Sequence, residues 1–444
     1  MRADIKLERD NGISLDRQIA DGIIKAIDDG LLRPGDHLMP IRQIANTLGV
    51  ARATVDAAYA LLVSEGYIQT ARGKGSFVST DFPQAPSEAN SSENTQSKNI
   101  PLAIISTSAD ASPGKEFAAI LQRITRKSLL DMVYSHPAGL PELKLEICKI
   151  ASRLRGVRCS PSQVVVTSGS QLGLTMTLLA LFTPGDKVLF EDPGYPLLHS
   201  SARLCGLDPV FTPIDKEGLN LKTGLAMAPD AKGIYLTPSH QCPLGMMMSM
   251  RRRSEVLDWA SRTGGWIIED DYDSELRYGG NLPYPSLQGM DSGENVIYVG
   301  TFSKVLFPGL RLGYLIVPER LVELFSGLRL LIDRQGQELY QAAVAQYIRE
   351  GQYEPHLRRM RQIFEERRNY LLEVCRREFG DWGVFSSGEQ GMHVVFTFKN
   401  QNIDDHAVQR LCLEQGVETR HLSSFYHEQP PLKGLVLGFG FFNE

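Results

Sequence analysis

The chain has 444 residues, more than one core usually holds, so two or three domains are expected. Hydrophobic content of 42% and charged content of 22% describe an ordinary globular protein, and no apolar run is long enough to span a membrane. The formal net charge of −5 excludes a wholesale basic surface, so nucleic-acid binding has to come from a local patch of cations.

The N-terminal MRADIKLERDNG has no apolar signal core. SLDRQIADGIIKAIDDG, residues 14–30, places Leu15, Ile19, Ile23, Ile24 and Ile27 at helical spacing, with Ser14 as a start signal and Gly30 as a stop. IRQIANTLGV predicts a short helix ending at Gly49, and RATVDAAYALLVSEG a third ending at Gly66. Two helices joined by a Gly-containing turn form a helix-turn-helix, whose second helix can enter a major groove. YIQTARGKGSFV then reads as two short β runs around Arg72-Gly73-Lys74-Gly75, a hairpin with two cations at its tip. The same periodicity would serve a plain helical bundle with a surface hairpin. The placement of charge favours DNA: Arg52 and Thr54 open the third helix, where side chains reach base edges, and Arg42, Arg72 and Lys74 are placed for phosphates. Residues 31–78, LLRPGDHLMPIRQIANTLGVARATVDAAYALLVSEGYIQTARGKGSFV, resemble the winged helix-turn-helix of GntR-type regulators, which implies binding to double-stranded DNA. Met39-Pro40 and Ala51 depart from that family's usual residues, and Ala51 removes the expected cap of the recognition helix.

TDFPQAPSEANSSENTQSKN, residues 80–99, has almost nothing to bury and reads as a flexible linker. The expected division is a DNA-binding unit over 1–79, a linker over 80–104 and a large unit over 105–444. The large unit alternates strand and helix signals. VVVTSG, KVLFEDPGY, GIYLTPSH, WIIEDDYD, VIYVGTFSK and LGYLIVP are mostly near-continuous apolar runs, as in strands buried on both faces of a largely parallel sheet. Five of the six carry polar tails: Ser168-Gly169-Ser170, Asp192 to Tyr195, Ser239-His240, Asp270 to Tyr272, and Ser303-Lys304. Open α/β sheets bind ligands at the carboxyl ends of their strands. The six cysteines are scattered, without a C-x-x-C or a His/Cys cluster, which reads as reduced thiols of a cytoplasmic protein, with no disulfide framework and no metal site.

Each tail has a plain reading: a surface lysine, an acidic loop in EDDYDSE, a turn aromatic at Tyr195. Taken together they form a chemical pattern. Lys304 can form a Schiff base with an aldehyde, and Asp270 can keep a pyridinium nitrogen protonated, a pairing that points to pyridoxal phosphate. TSGSQLGL offers a helix N-terminus to phosphate, and Arg311 adds a fixed cation. Tyr195 can stack on the ring, and Tyr272 can donate a hydrogen bond to its phenolic oxygen.

The stretch from Tyr134 to Pro318, with YSHPAGLPELK, EDPGYP, TPSHQCPLG, IIEDDYDSELRY and TFSKVLFPGLRLGY, resembles the fold type I aminotransferases and, more closely, the aminotransferase-like domain of the MocR/GabR subfamily of GntR-type regulators. The resemblance implies a winged helix-turn-helix followed by an α/β fold type I domain with a mostly parallel sheet and a smaller C-terminal α+β subdomain. It implies that Lys304 carries the cofactor, that Asp270, Tyr272 and Tyr195 meet its ring, and that Gly169, Ser170, Gln171, Thr301, Ser303 and Arg311 cup its phosphate. Tyr134 would reach the neighbouring subunit's phosphate, making the site a product of a homodimer on paired DNA half-sites. The implied function is a regulator that senses pyridoxal phosphate, alone or as its Schiff base with an amine or amino-acid effector. The alternatives are a working aminotransferase with a DNA-binding appendage and a cofactor-free DNA-binding scaffold. Cys242 stands where aminotransferases have Asn, and KGLVLGFGFFNE lacks the arginine that holds a substrate carboxylate, although Arg420 lies upstream. Leu197 stands where an amino-acid-responsive member has a second such arginine. The chain also stops soon after GFGFF, where the family commonly continues into a last helix, so a truncated C-terminus or a trimmed small domain is expected.

Overall fold

The apolar stripes become the cores of two units, residues 1–98 and 99–444, in a computed structural model that describes residues 7, 13–28, 32, 35–64, 66–71, 75–79, 102, 111–128, 134–279, 284–291 and 294–440. In the small unit, helices α1 (Leu15–Asp28), α2 (Ile41–Leu48) and α3 (Arg52–Ser64) precede a hairpin of β1 (Ile68–Ala71) and β2 (Gly75–Val78). The helical stripe closes on itself: Ile19, Ile23, Ile44, Val55, Leu62, Ile68 and Val78 are buried together. Gly49 ends α2 in the left-handed conformation at φ 64°, its N–H bonded to the Ala45 carbonyl, which makes the tight turn into α3. The hairpin is antiparallel, pairing Ile68 with Val78.

The large unit runs α4 (Gly114–Ser128), α5 (Pro141–Arg155), β3 (Val164–Thr167), α6 (Ser170–Leu181), β4 (Lys187–Asp192), α7 (Pro196–Leu204), β5 (Asp208–Asp215), β6 (Gly218–Leu219), α8 (Leu221–Met227) and β7 (Gly233–Leu236). It continues through α9 (Met250–Thr263), β8 (Trp266–Asp271), α10 (Leu287–Met290), β9 (Val296–Thr301), β10 (Gly313–Ile316), α11 (Val322–Ile332), α12 (Glu338–Arg349) and α13 (Tyr353–Phe379). β11 (Gly383–Phe385), β12 (His393–Phe398), α14 (Asp405–Glu414), β13 (Arg420–His421) and β14 (Gly434–Gly438) complete it.

All six sequence-read runs are strands, in a sheet ordered β3-β10-β9-β8-β7-β4-β5-β6. β4, β5, β7, β8 and β9 are parallel neighbours, and apolar clusters cover both faces. β10 runs antiparallel to both β3 and β9. This reversal explains why LGYLIVP has no polar tail: its chemistry, Arg311, precedes it, and so falls at the same sheet edge as the ends of β3 and β9. β5 and β6 escaped the sequence reading; DPVFTPID carries two prolines and a half-exposed pattern that masks a strand near the sheet edge. A second, antiparallel sheet, β11-β12-β14-β13, forms the smaller subdomain with α13 and α14. Leu102, placed in the linker by composition, is tied to this sheet through its carbonyl, which accepts from the Gly438 N–H.

Candidate functional site

Because β3, β4, β7, β8 and β9 run in one direction, their polar tails meet at one edge. The anion-binding half is built on α6. Gly169 caps this helix at φ 87°, and no acidic residue occupies its first turn. A Cβ at Gly169 would lie 3.2 Å from the Arg311 guanidinium carbon, so glycine lets that cation sit against the helix N-terminus. Arg311 holds φ 48° and donates to the Ser168 carbonyl at 3.4 Å. Gly313 lies opposite Thr301, and a Cβ on it would come 2.8 Å from the Ser170 nitrogen. The Ser303 N–H donates to Thr301 Oγ1 at 3.2 Å. Gly169, Ser170, Thr301, Ser303 and Arg311 are thereby brought together, and the first-turn N–H groups of α6, its dipole and the guanidinium all favour an anion. Gln171 starts the same helix, but its amide donates to Ser201 Oγ at 2.9 Å.

The ring-binding half is built on β8. The acidic loop that EDDYDSE suggests is instead a set of buried carboxylates: Glu269, Asp270, Asp271, Asp273 and Glu275. Alternation along the strand sends them to different partners. Glu269 accepts from the Leu287 and Gln288 N–H groups, and Asp271 accepts from Arg155 Nε at 2.6 Å and the Tyr298 hydroxyl at 2.7 Å. Asp270 faces the other way. One of its oxygens accepts from the Tyr235 hydroxyl at 2.8 Å, and the other is buried without a partner among the described residues. Burial pushes its carboxyl up to about 7, the Tyr235 bond opposing.

Lys304 follows β9. It is partly exposed by surface area, yet burial is the largest influence on its amine and lowers its pKa, opposed by Asp273, Cys242 and Asp270. A lysine with a weakened hold on its proton is a better nucleophile. Tyr195, half-buried at the start of α7, has its hydroxyl pushed up to about 12 by burial and then by Asp270. Cys242 lies in the same environment; burial raises its thiol, followed by Glu191 and Asp270, and Lys304 acts in the opposite sense. Tyr272 shares a 3.1 Å hydrogen bond with His240 Nδ1, and both Asp273 oxygens lie 2.9 Å from that nitrogen. His240, Asp273 and Tyr235 went unassigned from sequence, although all three lie in the quoted runs GIYLTPSH and WIIEDDYD.

This environment meets the demands of pyridoxal phosphate on three counts. A cationic N–H would satisfy the unpartnered Asp270 oxygen, the glycine-lined cradle suits a phosphate, and the Lys304 amine, itself influenced by Asp270, can meet an aldehyde. Tyr134 stands apart, 75% exposed, with the Arg334 guanidinium 4.2 Å from its ring centre. Arg420 is exposed on β13, while Val436 opposite it is buried with Val395 and Leu422. The scattered-cysteine reading needs one amendment: Cys148 and Cys159 are free thiols whose sulfurs lie 3.3 Å apart.

In the small unit, Arg42 is exposed on α2, and Arg52 is exposed at the start of α3 with its Nε 3.8 Å from Asp56. Thr54 is half-buried in the first turn of α3. Arg72 and Lys74 lie outside the described residues.

Residues 112–432 match the model of aminotransferase class I and II, and residues 15–78 match that of bacterial regulatory proteins of the gntR family. The chain is 34% identical to the probable rhizopine catabolism regulatory protein MocR of Rhizobium meliloti, over 98% of this chain and 91% of that one. It is 30% identical to the pyridoxine biosynthesis transcriptional regulator PdxR of Corynebacterium glutamicum, over 97% and 93%. Among solved structures, the kynurenine aminotransferase of Pyrococcus horikoshii aligns with a TM-score of 0.71 at 26% identity, covering 78% of this chain and 87% of that one. The α-aminoadipate aminotransferase LysN of Thermus thermophilus, complexed with N-(5'-phosphopyridoxyl)-L-leucine, aligns with a TM-score of 0.70 at 26% identity, covering 77% and 88%.

Proposed function

For a chain that belongs to the MocR-type branch of the GntR regulators, a DNA-binding helix-turn-helix joined to an aminotransferase class I and II domain, we propose that the large unit binds pyridoxal phosphate and governs the DNA-binding unit through it. When bound, the cofactor supplies an aldehyde that condenses with primary amines and an electron-withdrawing pyridine ring. Lys304 would hold the aldehyde carbon, Asp270 the ring nitrogen, Tyr272 the phenolic oxygen and Tyr195 the ring face. Gly169, Ser170, Thr301, Ser303 and Arg311 would hold the phosphate, with Gln171 at the rim of the same helix. The observation that carries this reading is Asp270, a buried carboxylate with one unpartnered oxygen and a carboxyl raised to about 7, on the same sheet edge as the α6 cradle.

The signal is the cofactor alone or the cofactor joined to an amine effector. Exposed Tyr134, backed by Arg334, supports a homodimer in which each subunit reaches the other's phosphate. A ligand that binds two arrangements of that dimer unequally shifts the placement of the DNA-binding units on paired half-sites. Arg52 and Thr54 would read bases there, and Arg42, Arg72 and Lys74 would hold phosphates. The exposure of Arg420 and the apolar surroundings of Val436 favour this sensor over a working aminotransferase, which has to orient a substrate carboxylate.

The test is an absorbance titration of the purified protein with pyridoxal phosphate, beside Lys304→Ala. A visible band in the wild type that Lys304→Ala lacks supports the reading; no band in either overturns it.

A further inference from the structure

We propose that His240 and Asp273 form a positioning dyad that turns the Tyr272 hydroxyl proton toward the cofactor's phenolic oxygen. The inference rests on the cofactor reading above and extends it to two residues with no assigned role.

The argument starts from one nitrogen. His240 Nδ1 lies 2.9 Å from both oxygens of Asp273 and 3.1 Å from the Tyr272 hydroxyl. A carboxylate straddling a ring nitrogen accepts a hydrogen bond from it, so Nδ1 carries the imidazole proton. A protonated Nδ1 cannot accept from Tyr272. It shares its N–H with the tyrosine oxygen, and the tyrosine's own proton is left for another acceptor. Without Asp273 the imidazole is free to move its proton to Nε2, and Nδ1 then takes the tyrosine's proton for itself. Asp273 thus decides the direction in which Tyr272 donates.

The surroundings hold the dyad in place. Asp273 and His240 are both buried, and the His240 and Tyr272 rings stack at 5.7 Å with 29° between their planes. Gly391 closes over the pair: a Cβ there would fall 2.2 Å from His240 Cε1 and 2.4 Å from an Asp273 oxygen, so only glycine lets the small subdomain's loop pack against them. His393 stacks obliquely on His240 at 5.1 Å and is bonded to the Pro243 carbonyl at 2.8 Å, which occupies its Nε2. Other charged and titratable groups acting on this cluster include Asp270, Glu191, Glu275, Cys242, Tyr278 and Lys304. Tyr272 is also the residue next to Asp271, the carboxylate anchored by Arg155, so its backbone is fixed and its hydroxyl direction is what remains to be set.

The experiment is a pH titration of the visible absorbance of the full chain with bound pyridoxal phosphate. A donor to the phenolic oxygen stabilises its negative charge, so losing that donor raises the pH at which the lysine-linked band changes. Asp273→Asn is expected to move the midpoint upward by about one unit, the size of a lost hydrogen bond to a charged oxygen. His240→Leu should do the same, and His240→Asn, whose amide can replace the Nδ1 donor, should restore the midpoint. Tyr272→Phe sets the scale, and Asp273→Asn or His240→Leu added to Tyr272→Phe should raise the midpoint no further, because the dyad raises it only through that hydroxyl, whereas losing the Asp273 charge beside Lys304 lowers it. An unchanged midpoint in His240→Leu, which leaves the Asp273 charge in place, overturns the proposal. So does a further upward shift in the double variant, which the Tyr272 hydroxyl could not carry. If Asp273→Asn does not fold, the pair His240→Leu and His240→Asn decides by the same criteria. A wild type with no lysine-dependent band would fail the cofactor reading itself, whereas a band indifferent to these substitutions fails only the dyad.

Discussion

Asp270 and Asp271 are consecutive residues of β8, and both are buried, at 5% and 3% exposure. Each leaves one oxygen without a hydrogen-bond partner among the described residues. They nonetheless end in opposite states. Asp271 has a guanidinium and a phenol on its other oxygen; burial pulls its carboxyl up, and Arg155 leads the groups that hold it below the usual carboxylate value. Asp270 has one phenol and no guanidinium, and burial lifts it to about 7. Burial alone therefore says nothing about role. An acid with its cation built in is part of the frame, and an acid whose recorded cationic neighbour among the described residues is a lysine of weakened basicity is poised for a cationic ligand group.

The comparison breaks most visibly through the two cations. Arg155→Met strips the partner from Asp271 and leaves a charge in the core, a change expected to cost about 3–5 kcal/mol of stability. Urea unfolding of the full chain measures it. Lys304→Met, beside Asp270, is expected to change stability by under about 1 kcal/mol, because Asp270 can take up a proton, while it removes the visible band. Equal losses in the two variants would erase the distinction drawn between the two faces of β8.

The carboxylates themselves come next. Asp271→Asn should lower stability by about 2–4 kcal/mol, since it strands the buried Arg155. At about pH 4, where Asp270 is protonated in the folded chain, Asp270→Asn should leave unfolding near the wild type, and at any pH it should weaken pyridoxal phosphate binding by about 10- to 100-fold, the effect of losing a charged hydrogen bond. A spectroscopic binding titration beside the unfolding curve separates the two effects.

The same contrast has a pH signature in the cofactor-free protein. Asp270 lies above its ordinary 3.8 when folded, so it binds its proton more tightly in the folded chain; its contribution is whole below that value and is lost as pH climbs through about 7. Glu191, Glu269 and Glu275, each raised to about 7 with burial as the leading cause, act in the same direction. Asp271, held low, contributes above the ordinary value and loses its contribution as pH falls through its lowered one. Stability of the cofactor-free chain should therefore decline from about pH 5 to 7, by up to about 1.4 kcal/mol per pH unit for each acid that titrates. Asp270→Asn should remove one such increment, and Asp271→Asn should leave this alkaline slope intact. Unfolding midpoints across that range would show whether the slopes differ.

How much of this could be read in the sequence depends on the kind of information involved. Period 2 and period 3.6 are local properties, so the small unit's helices, its hairpin and the six apolar strands all appear, each strand starting within a residue of its apolar run. The polar tails were also local, and one direction of travel was enough to gather them at one edge. Which way a side chain faces was not local. EDDYDSE has the composition of a solvated loop, and only the sheet reveals that its acids are divided between Arg155, Tyr235 and His240, residues far away in the chain. Tyr235 sits inside an apolar run and gave no signal of its own. The antiparallel return of β10 was likewise invisible in GLRLGY, although it places Arg311 at the cradle. Strand β5 was hidden by Pro209 and Pro213, which suppress the usual strand signal.

The smallest effects test the comparison most finely, because they change one phenol each and no charge. Tyr298→Phe removes a donor from an ionised carboxylate, and such bonds are worth about 1.5–3 kcal/mol. Tyr235→Phe removes the single donor recorded on Asp270, a carboxyl that can protonate and so is expected to lose about 1 kcal/mol or less. Both tyrosines are fully enclosed, and the swap keeps their volume, so packing loss is common to both and cancels in the difference. With pyridoxal phosphate bound the order should change. A cationic group on Asp270 keeps it ionised, so the Tyr235 bond becomes a bond to a charge, and Tyr235→Phe should then cost as much as Tyr298→Phe. Unfolding curves of the two variants with and without the cofactor test this. A cost at Tyr235 that grows on binding, beside a constant cost at Tyr298, would mark Asp270 as the carboxylate whose charge the cofactor controls; constant costs at both would mean that the two acids are the same kind of structural group.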